Sequence, residues 1–391
     1  WSQGVNLTDE LRAPPINITQ PAGLVRNWDE SFSIGGPVVR DRLWFYGLLR
    51  DNGAMSNVLG NGTTTFPNLN AGNQNLWTYA PDKSTDLRSA SSAKQAAIRL
   101  TGQLTPRNKL GVYYDYNWDC WSSAYVKDQG CRPRGDDWVA LGSQFGSPET
   151  GTGWDDREKI IQATYSSPLT SKLLLEGGYS TFISQWGGFP VAGALLDYIP
   201  VTEQSNYYGV ANYLYRGLTS YTHNKQMPNV WRGSLSYVTG AHSIKFGTQG
   251  AYHISATYAD TTGSTQLNYT FNSLCALPPG AAAGTACTMA NGGILTPRPI
   301  SVTTSIPNTN DDRTTFQAYY VQDQWTIDRL TVQGALRYEW AKSWAPQGEN
   351  GVLANRWTPA LLDPTTQGVT GYHDISPRVG AAYDLFGNGR T

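Results

Sequence analysis

The sequence lacks the long apolar run that a transmembrane helix requires. Such a helix needs roughly 18 or more consecutive, mainly apolar residues, and no segment of the 391 residues approaches that length. Blocks of one charge are also missing, because 29 Lys and Arg stand against 30 Asp and Glu. A near-neutral chain without basic blocks does not have the electrostatic footprint of a nucleic-acid-binding protein, so we expect no nucleic-acid partner.

The residues that usually carry catalysis or hold metals are sparse. The four histidines are scattered, and no Cys-x-x-Cys spacing accompanies the four cysteines. Zinc sites depend on such clustered ligands, so we expect no metal and no other cofactor. No spacing of nucleophile, acid and base stands out either. We therefore predict that the protein is not an enzyme.

Aromatic residues are abundant although the mean hydropathy is only -0.41. The chain holds 14 Trp and 23 Tyr, side chains that collect at membrane–water boundaries. Low mean hydropathy is compatible with a soluble protein. It is equally typical of a transmembrane β-barrel, in which lumen-facing polar residues dilute the apolar ones.

Polar and apolar residues alternate in five paired runs. In the run 330–340, for example, the large apolar side chains take even positions: Leu330, Val332, Leu336, Tyr338 and Trp340. Polar side chains take the odd positions 331, 333, 337 and 339. Side chains in a strand point alternately to opposite faces, so this run has one apolar and one polar face. Each pair of runs meets at a short turn, the five turns being near residues 40–41, 105–108, 168–171, 239–240 and 328–329.

Long polar connections separate these hairpins. They cover about residues 53–92, 119–153, 187–225, 260–312 and 345–373, and an unpaired final strand covers 375–386. Short turns at one end and long loops at the other are typical of outer-membrane barrels. We predict an all-β protein: an antiparallel up-and-down transmembrane β-barrel of about eleven strands, in residues 29–391, after an irregular entry segment in 1–28.

The two ends of the sequence indicate a piece of a longer protein. The chain begins Trp1-Ser2-Gln3-Gly4 without a signal peptide, and it stops just after the strand and turn that end in residues 384–388. We expect further chain on both sides.

The cysteines form two close couples within the long loops. Cys120 lies near Cys131, and Cys275 lies near Cys287. Close couples in loops suit disulfides of an oxidising compartment. Four cysteines allow three connectivities, and we favour Cys120–Cys131 with Cys275–Cys287 because each closes a short loop.

The alternation also predicts candidate binding residues. If the Leu, Tyr and Trp side chains face lipid, six charged residues face the lumen: Arg99, Asp115, Glu176, Lys245, Arg337 and Glu339. There they either line a ligand path or form charge pairs that only fill the wall. Six aromatic residues near or in the external loops either capture a ligand or pack inside folded loops: Trp118, Trp121, Trp138, Trp186, Tyr207 and Tyr208.

Three passages resemble the barrel of TonB-dependent outer-membrane receptors, in particular the Oar-like group with a carboxypeptidase-regulatory-like domain before its plug. They are ESFSIGGPVVRDRLWFYG at 30–47, YVQDQW at 320–325 with the strand 330–338, and DISPRVGAAYDLFGNGRT at 374–391. The resemblance implies a barrel of about twenty-two strands, plugged by an N-terminal domain and energised through TonB. The plug, the TonB box and about half the strands have no counterpart in this sequence. Eleven strands alone leave two sheet edges unpaired in lipid, each unpaired group costing several kcal/mol.

The resemblance implies a role in the bacterial outer membrane. The expected function is uptake, or movement, of a nutrient ligand across that membrane by a TonB-dependent transporter. The expected partners are outer-membrane lipid and lipopolysaccharide, an unknown ligand, and the TonB system through a region outside this chain. One alternative is a non-transporting surface or structural barrel, such as an adhesin, secretion factor or assembly scaffold. A secreted β-sandwich that binds carbohydrate ranks below both.

Overall fold

The computed structural model describes residues 8–12, 24–57, 66–82, 88–121, 147–150, 152–190, 195, 197–261, 267–304, 308–349, 362–368 and 371–388. Helical structure within these ranges comprises the four-residue helix Asp9–Arg12 and two 3-10 turns, Pro148–Thr150 and Asn206–Tyr208. Among the described helices, none has the length and apolar character needed to cross a membrane.

Eleven long strands make up most of the described chain. They are β1 Leu24–Val39, β2 Leu43–Asn57, β3 Arg88–Thr105, β4 Asn108–Trp121, β5 Thr152–Pro168, β6 Leu173–Pro190, β7 Ser220–Thr239, β8 His242–Thr261, β9 Asn308–Ile327, β10 Leu330–Ala345 and β11 Tyr372–Tyr383. Each strand pairs antiparallel with its neighbours in the chain, and the two end strands β1 and β11 have one such neighbour each. A two-residue strand, Thr366–Gln367, extends the sheet beside the end of β10. The predicted antiparallel meander of eleven strands is therefore confirmed.

Five short turns join the strands of the hairpins at the predicted positions. The turn between β9 and β10 consists of Asp328 and Arg329, and Asp328 adopts a φ of 49°. Asp41 and Gly240 also have positive φ, at 60° and 53°. Many short hairpin turns contain such left-handed backbone, which glycine and aspartate tolerate better than most residues. The turn chemistry of the sequence thus fixes where these three hairpins reverse.

The strands continue beyond the predicted loop boundaries. β1 begins at Leu24, inside the segment 1–28 expected to be irregular, and β7 begins at Ser220 although the loop was predicted to end near 225. Apart from the end strand β11, each strand holds 14 to 20 residues. A strand needs only about 9–11 residues to cross a bilayer. Polar strand ends remain paired because backbone hydrogen bonds do not require an apolar pattern.

The two faces of the sheet have opposite character. One cross-strand row joins Gly47, Ile98, Tyr114 and Ile161 on four neighbouring strands. Ile98, Tyr114 and Ile161 expose more than a third of their surface, and we name this side of the sheet the apolar face. Exposed apolar residues in such a continuous band are covered by lipid in a transmembrane barrel. The opposite side is named the polar face.

The sheet is an open wall. Its edges are β1 and β11, and among the described residues these two strands do not pair with each other.

Parts of four long connections fold together into a separate unit. We name this unit the loop module; it consists of residues 66–82, 147–150, 197–218 and 267–304. Its sheet has four strands in the order Pro299–Thr304, Leu267–Phe271, Val201–Glu203 and Tyr213–Tyr215. Its core is formed by Tyr79, Val201, Tyr208, Tyr213, Tyr215 and Phe271. The long loops are thus packed structure with a core of their own.

Candidate functional site

All six predicted charged residues lie on the polar face. Arg99 stands opposite Tyr113, and Asp115 follows two residues later on the same side of β4. On the same face, Ser166 of β5 stands opposite Glu176 of β6, and Glu176 in turn stands opposite Ser234 of β7. Further along the sheet, Lys245, Arg337 and Glu339 occupy the same side of β8 and β10. That this face lines the lumen stays a prediction.

Three of the six charged residues come together at one pocket. Arg99, Glu176 and Lys245 line a pocket of about 430 Å³ on the polar face. The Nζ atom of Lys245 lies 3.6 Å from Oε2 of Glu176. The pocket is nearer to the short turns than to the loop module, because Glu176 and Lys245 each lie within four residues of a turn.

The other three charged residues are paired elsewhere on the wall. The carboxylate of Asp115 accepts hydrogen bonds from Gln95 at 2.9 Å and from the hydroxyl of Tyr113 at 2.5 Å. Arg337 donates to Glu339 at 2.6 Å. With its amide oxygen turned toward Arg337, Gln249 also accepts from the guanidinium at 2.7 and 3.1 Å. Asp115, Arg337 and Glu339 are thus held by contacts within the wall.

Sequence reasoning missed two further cations of the pocket, Lys109 and Arg232. Both line it together with Arg99 and Lys245. Lys109 lies in β4 at the same parity as Tyr113 and Asp115, so the alternation of that strand contained the signal. Arg232 in β7 stands opposite Gly178 of β6.

Glycines make room for the side chains that cross the polar face. A Cβ on Gly247 would collide with the ring of Tyr320 in the neighbouring strand. A Cβ on Gly178 would lie 3.2 Å from Nε of Arg232. Because these positions carry no side chain, the ring and the guanidinium can lie along the sheet.

Arg216 is the central polar residue of the loop module. Its side chain donates to the backbone carbonyls of Gln74, Leu76 and Ile199 at 2.9, 3.3 and 2.8 Å. Its guanidinium carbon lies 3.7 Å from the ring centre of Trp77. The backbone N–H of Arg216 donates to Glu149 at 3.1 Å. Arg216 thereby joins three of the long connections. Its φ of 80° lies in the left-handed region.

Two of the predicted external aromatic residues belong to the loop module. Tyr208 is buried in its core, 1% exposed, and its hydroxyl accepts from the backbone N–H of Tyr79 at 2.9 Å. Tyr207 donates to the carbonyl of Gly293 at 2.9 Å and packs edge-on against Tyr208. Tyr208 therefore offers no surface to an external ligand. Trp77 and Tyr79 share this packing and were missed, since no periodicity marks residues 66–82.

The other predicted aromatic residues lie in strands or outside the described side chains. Trp118 is in β4, where the guanidinium of Arg157 lies 5.4 Å from its ring centre. Trp186 is in β6, opposite Asp156. For Trp121 only the backbone, as the last residue of β4, is described, and Trp138 lies outside the described residues.

Burial raises the pKa of the core tyrosines of the loop module. The pKa of Tyr208, Tyr213 and Tyr215 lies well above the ordinary tyrosine value, mainly because the ionised phenolate would lose its solvation. The pKa of Arg216 is lowered by desolvation. The core is therefore built from neutral phenols that act as hydrogen-bonding and packing groups.

One of the two predicted disulfides is seen. Cys275 and Cys287 are bonded within the loop module, with their Cα atoms 5.9 Å apart. The couple Cys120–Cys131 cannot be described in the same way, because Cys131 and the side chain of Cys120 lie outside the described residues. In the described part of the chain, no group of three His, Cys, Asp or Glu residues is placed to hold a metal.

The wall, its two faces and its alternating short and long connections define an outer-membrane β-barrel protein. The chain belongs to the outer membrane beta barrel domain family, whose model matches residues 52–391. The bacterial outer membrane is therefore its location, and the predicted outer-membrane β-barrel fold is confirmed. No curated protein sequence matches the chain.

Solved structures with a similar fold include three outer-membrane proteins. The transporter YddB of Escherichia coli has 12% identity and a TM-score of 0.50, over 92% of this chain and 36% of that one. The ferric yersiniabactin uptake receptor FyuA of Yersinia pestis has 11% identity and a TM-score of 0.49, over 93% and 43%. FpvA of Pseudomonas aeruginosa, in complex with a heterologous pyoverdine, has 13% identity and a TM-score of 0.47, over 93% and 39%. This chain thus spans less than half the length of these proteins.

Proposed function

We propose that the protein acts in a TonB-dependent outer-membrane transporter that takes up a nutrient ligand. The observation that carries the proposal is the wall itself: an outer-membrane family sheet with one apolar face and one charged face. The apolar face suits lipid, and the charged face suits a path that ligands and water can enter. The fold shared with the E. coli transporter YddB is consistent with this role.

The proposed mechanism begins at the loop module. A ligand is captured on the external side, and the path along the polar face opens when energy from the inner membrane is transmitted through TonB. No catalytic role is part of the proposal. The expected partners are outer-membrane lipid and lipopolysaccharide, the TonB system and a ligand still to be identified.

Uptake by living cells tests this proposal. Cells with and without the protein would be grown in a defined mixture of nutrients, and depletion of each nutrient would be measured by mass spectrometry. We expect at least one compound to be depleted faster with the protein, and this difference to vanish in a strain without TonB. Identical depletion in all strains would contradict transport.

A second candidate is a surface or structural barrel without transport, such as an adhesin, secretion factor or scaffold. The loop module favours it, since folded loops with a core of their own present a defined external surface. Binding of labelled cells to host or bacterial surfaces, lost on removal of residues 267–304, would support this alternative. The described long strands form one meander, not two packed sheets, so a β-sandwich is not proposed.

A further inference from the structure

The pocket on the polar face carries a strong excess of positive charge. Four cations line it from four different strands, namely Arg99, Lys109, Arg232 and Lys245. One carboxylate, Glu176, accompanies them and pairs with Lys245 at 3.6 Å. Three cations therefore remain for a single pocket.

Arg99, Lys109 and Arg232 differ from two other arginines of the same face in that they lack a carboxylate partner among the described residues. Arg50 makes a two-pronged contact with Asp29 at 2.9 and 2.7 Å, and Arg337 pairs with Glu339 at 2.6 Å. Within the described part of the chain, no carboxylate forms an ion pair with Arg99, Lys109 or Arg232. Clefts lined by one sign of charge focus the electrostatic field and attract the opposite charge.

The rest of the lining is suited to an anion. The hydroxyl of Ser166 and the phenol of Tyr320 border the same pocket, and each can donate a hydrogen bond, whereas the hydroxyl of Ser234 donates to Glu176 at 3.5 Å. Its volume of about 430 Å³ lies in the range typical of small-molecule sites. Gly178 leaves the space in which the Arg232 guanidinium lies against the wall.

From these observations we propose that this pocket binds the phosphate or carboxylate groups of a small anionic ligand. The proposal rests on the proposed transport function, and it assigns the ligand class: an anion that passes along the polar face. Arg99, Lys109 and Arg232 provide charge-assisted hydrogen bonds, which are the stronger kind. Glu176 orients Lys245 at the side of the pocket.

Calorimetric titration of the purified protein in neutral detergent tests the site. The two probes are inorganic pyrophosphate and citrate, so that phosphate and carboxylate chemistry are measured separately. We expect saturable binding of at least one probe, weakened by added salt because ions screen the attraction. Arg232→Gln and Lys109→Gln should each weaken binding on the order of tenfold, the value of one lost charge-assisted hydrogen bond.

Arg50→Gln is the matched control, since it removes the same charge from the same face outside the pocket. An equal loss in Arg50→Gln would overturn the proposal, because binding would then reflect general charge. Absence of binding by both probes would overturn it too, whatever the unfolding temperature of Arg232→Gln. If uptake persists but neither probe binds, only the proposal of an anion site is contradicted. If a probe binds but no uptake is seen, only the proposal of transport is contradicted.

Discussion

The guanidinium of Arg216 lies 3.7 Å from the ring centre of Trp77, 139 residues earlier in the sequence (216 minus 77). Three backbone carbonyls accept hydrogen bonds from the same side chain. Arg216 is 4% exposed, so these contacts replace the water that the cation would otherwise bind. This contact joins two loops that lie far apart in the sequence.

Replacement of Arg216 should open the loop module without unfolding the wall. Arg216→Gln removes the cation–π contact and leaves three backbone carbonyls without their donor, which should destabilise the module by roughly 3 kcal/mol. Hydrogen exchange measured by mass spectrometry should show faster exchange in residues 74–80 and 213–218, with β3 to β8 unchanged. Arg298→Gln, an exposed arginine of the same module, should have little effect. Unchanged exchange in Arg216→Gln would show that Trp77 packing alone holds the loops.

The close passage of Tyr320 over Gly247 gives a second prediction. Gly247→Ala places a methyl group where the ring lies, and overpacking of this kind destabilises proteins by about 1–3 kcal/mol. The unfolding temperature in detergent should fall, and the fall should be smaller when the same change is made in a Tyr320→Ala background. Gly334→Ala is the control, because nothing lies within 4 Å of a Cβ at that glycine. Equal effects at 247 and 334 would contradict this account of the wall.

The buried tyrosines predict a pH dependence of the loop module. Below pH ~10 the phenols are neutral in both folded and unfolded chain, so ionisation does not alter stability. Above that pH only the unfolded chain ionises, because burial raises the pKa of Tyr208, Tyr213 and Tyr215 in the fold. Stability of the module is therefore lost as pH rises above ~10.

Absorbance at 295 nm, which follows phenolate formation, measures this effect. The buried tyrosines of the module core should ionise only above pH ~10, in a steep step that coincides with unfolding of the module. Tyr208→Phe should reduce this step. Absence of a steep step above pH ~10 would contradict burial of the module core.

The wall could be predicted from the sequence because period-two alternation and turn chemistry are local signals. The apolar face of each strand, which contains Ile98 in β3 and Tyr114 in β4, and the turn at Asp328 follow from neighbouring residues alone. The loop module could not be predicted, since contacts such as Arg216 with Trp77 and Tyr208 with Tyr79 join separate loops without any period. Likewise, parity placed Arg99 and Lys245 on one face, but only the three-dimensional register brings Arg232 and Lys109 to the same pocket.

Two adjacent residues of β3 allow the orientation of the wall in the membrane to be measured. Ile98 belongs to the apolar face and Arg99 to the polar face, so their environments should be lipid and water. Nitroxide labels attached to Ile98→Cys and Arg99→Cys in bilayers would be probed with oxygen, which concentrates in lipid, and with a water-soluble nickel chelate. We expect high oxygen and low nickel accessibility at 98, with the reverse at 99. Equal accessibility at both positions, or the opposite order, would contradict a transmembrane wall with one lipid-facing and one water-facing side.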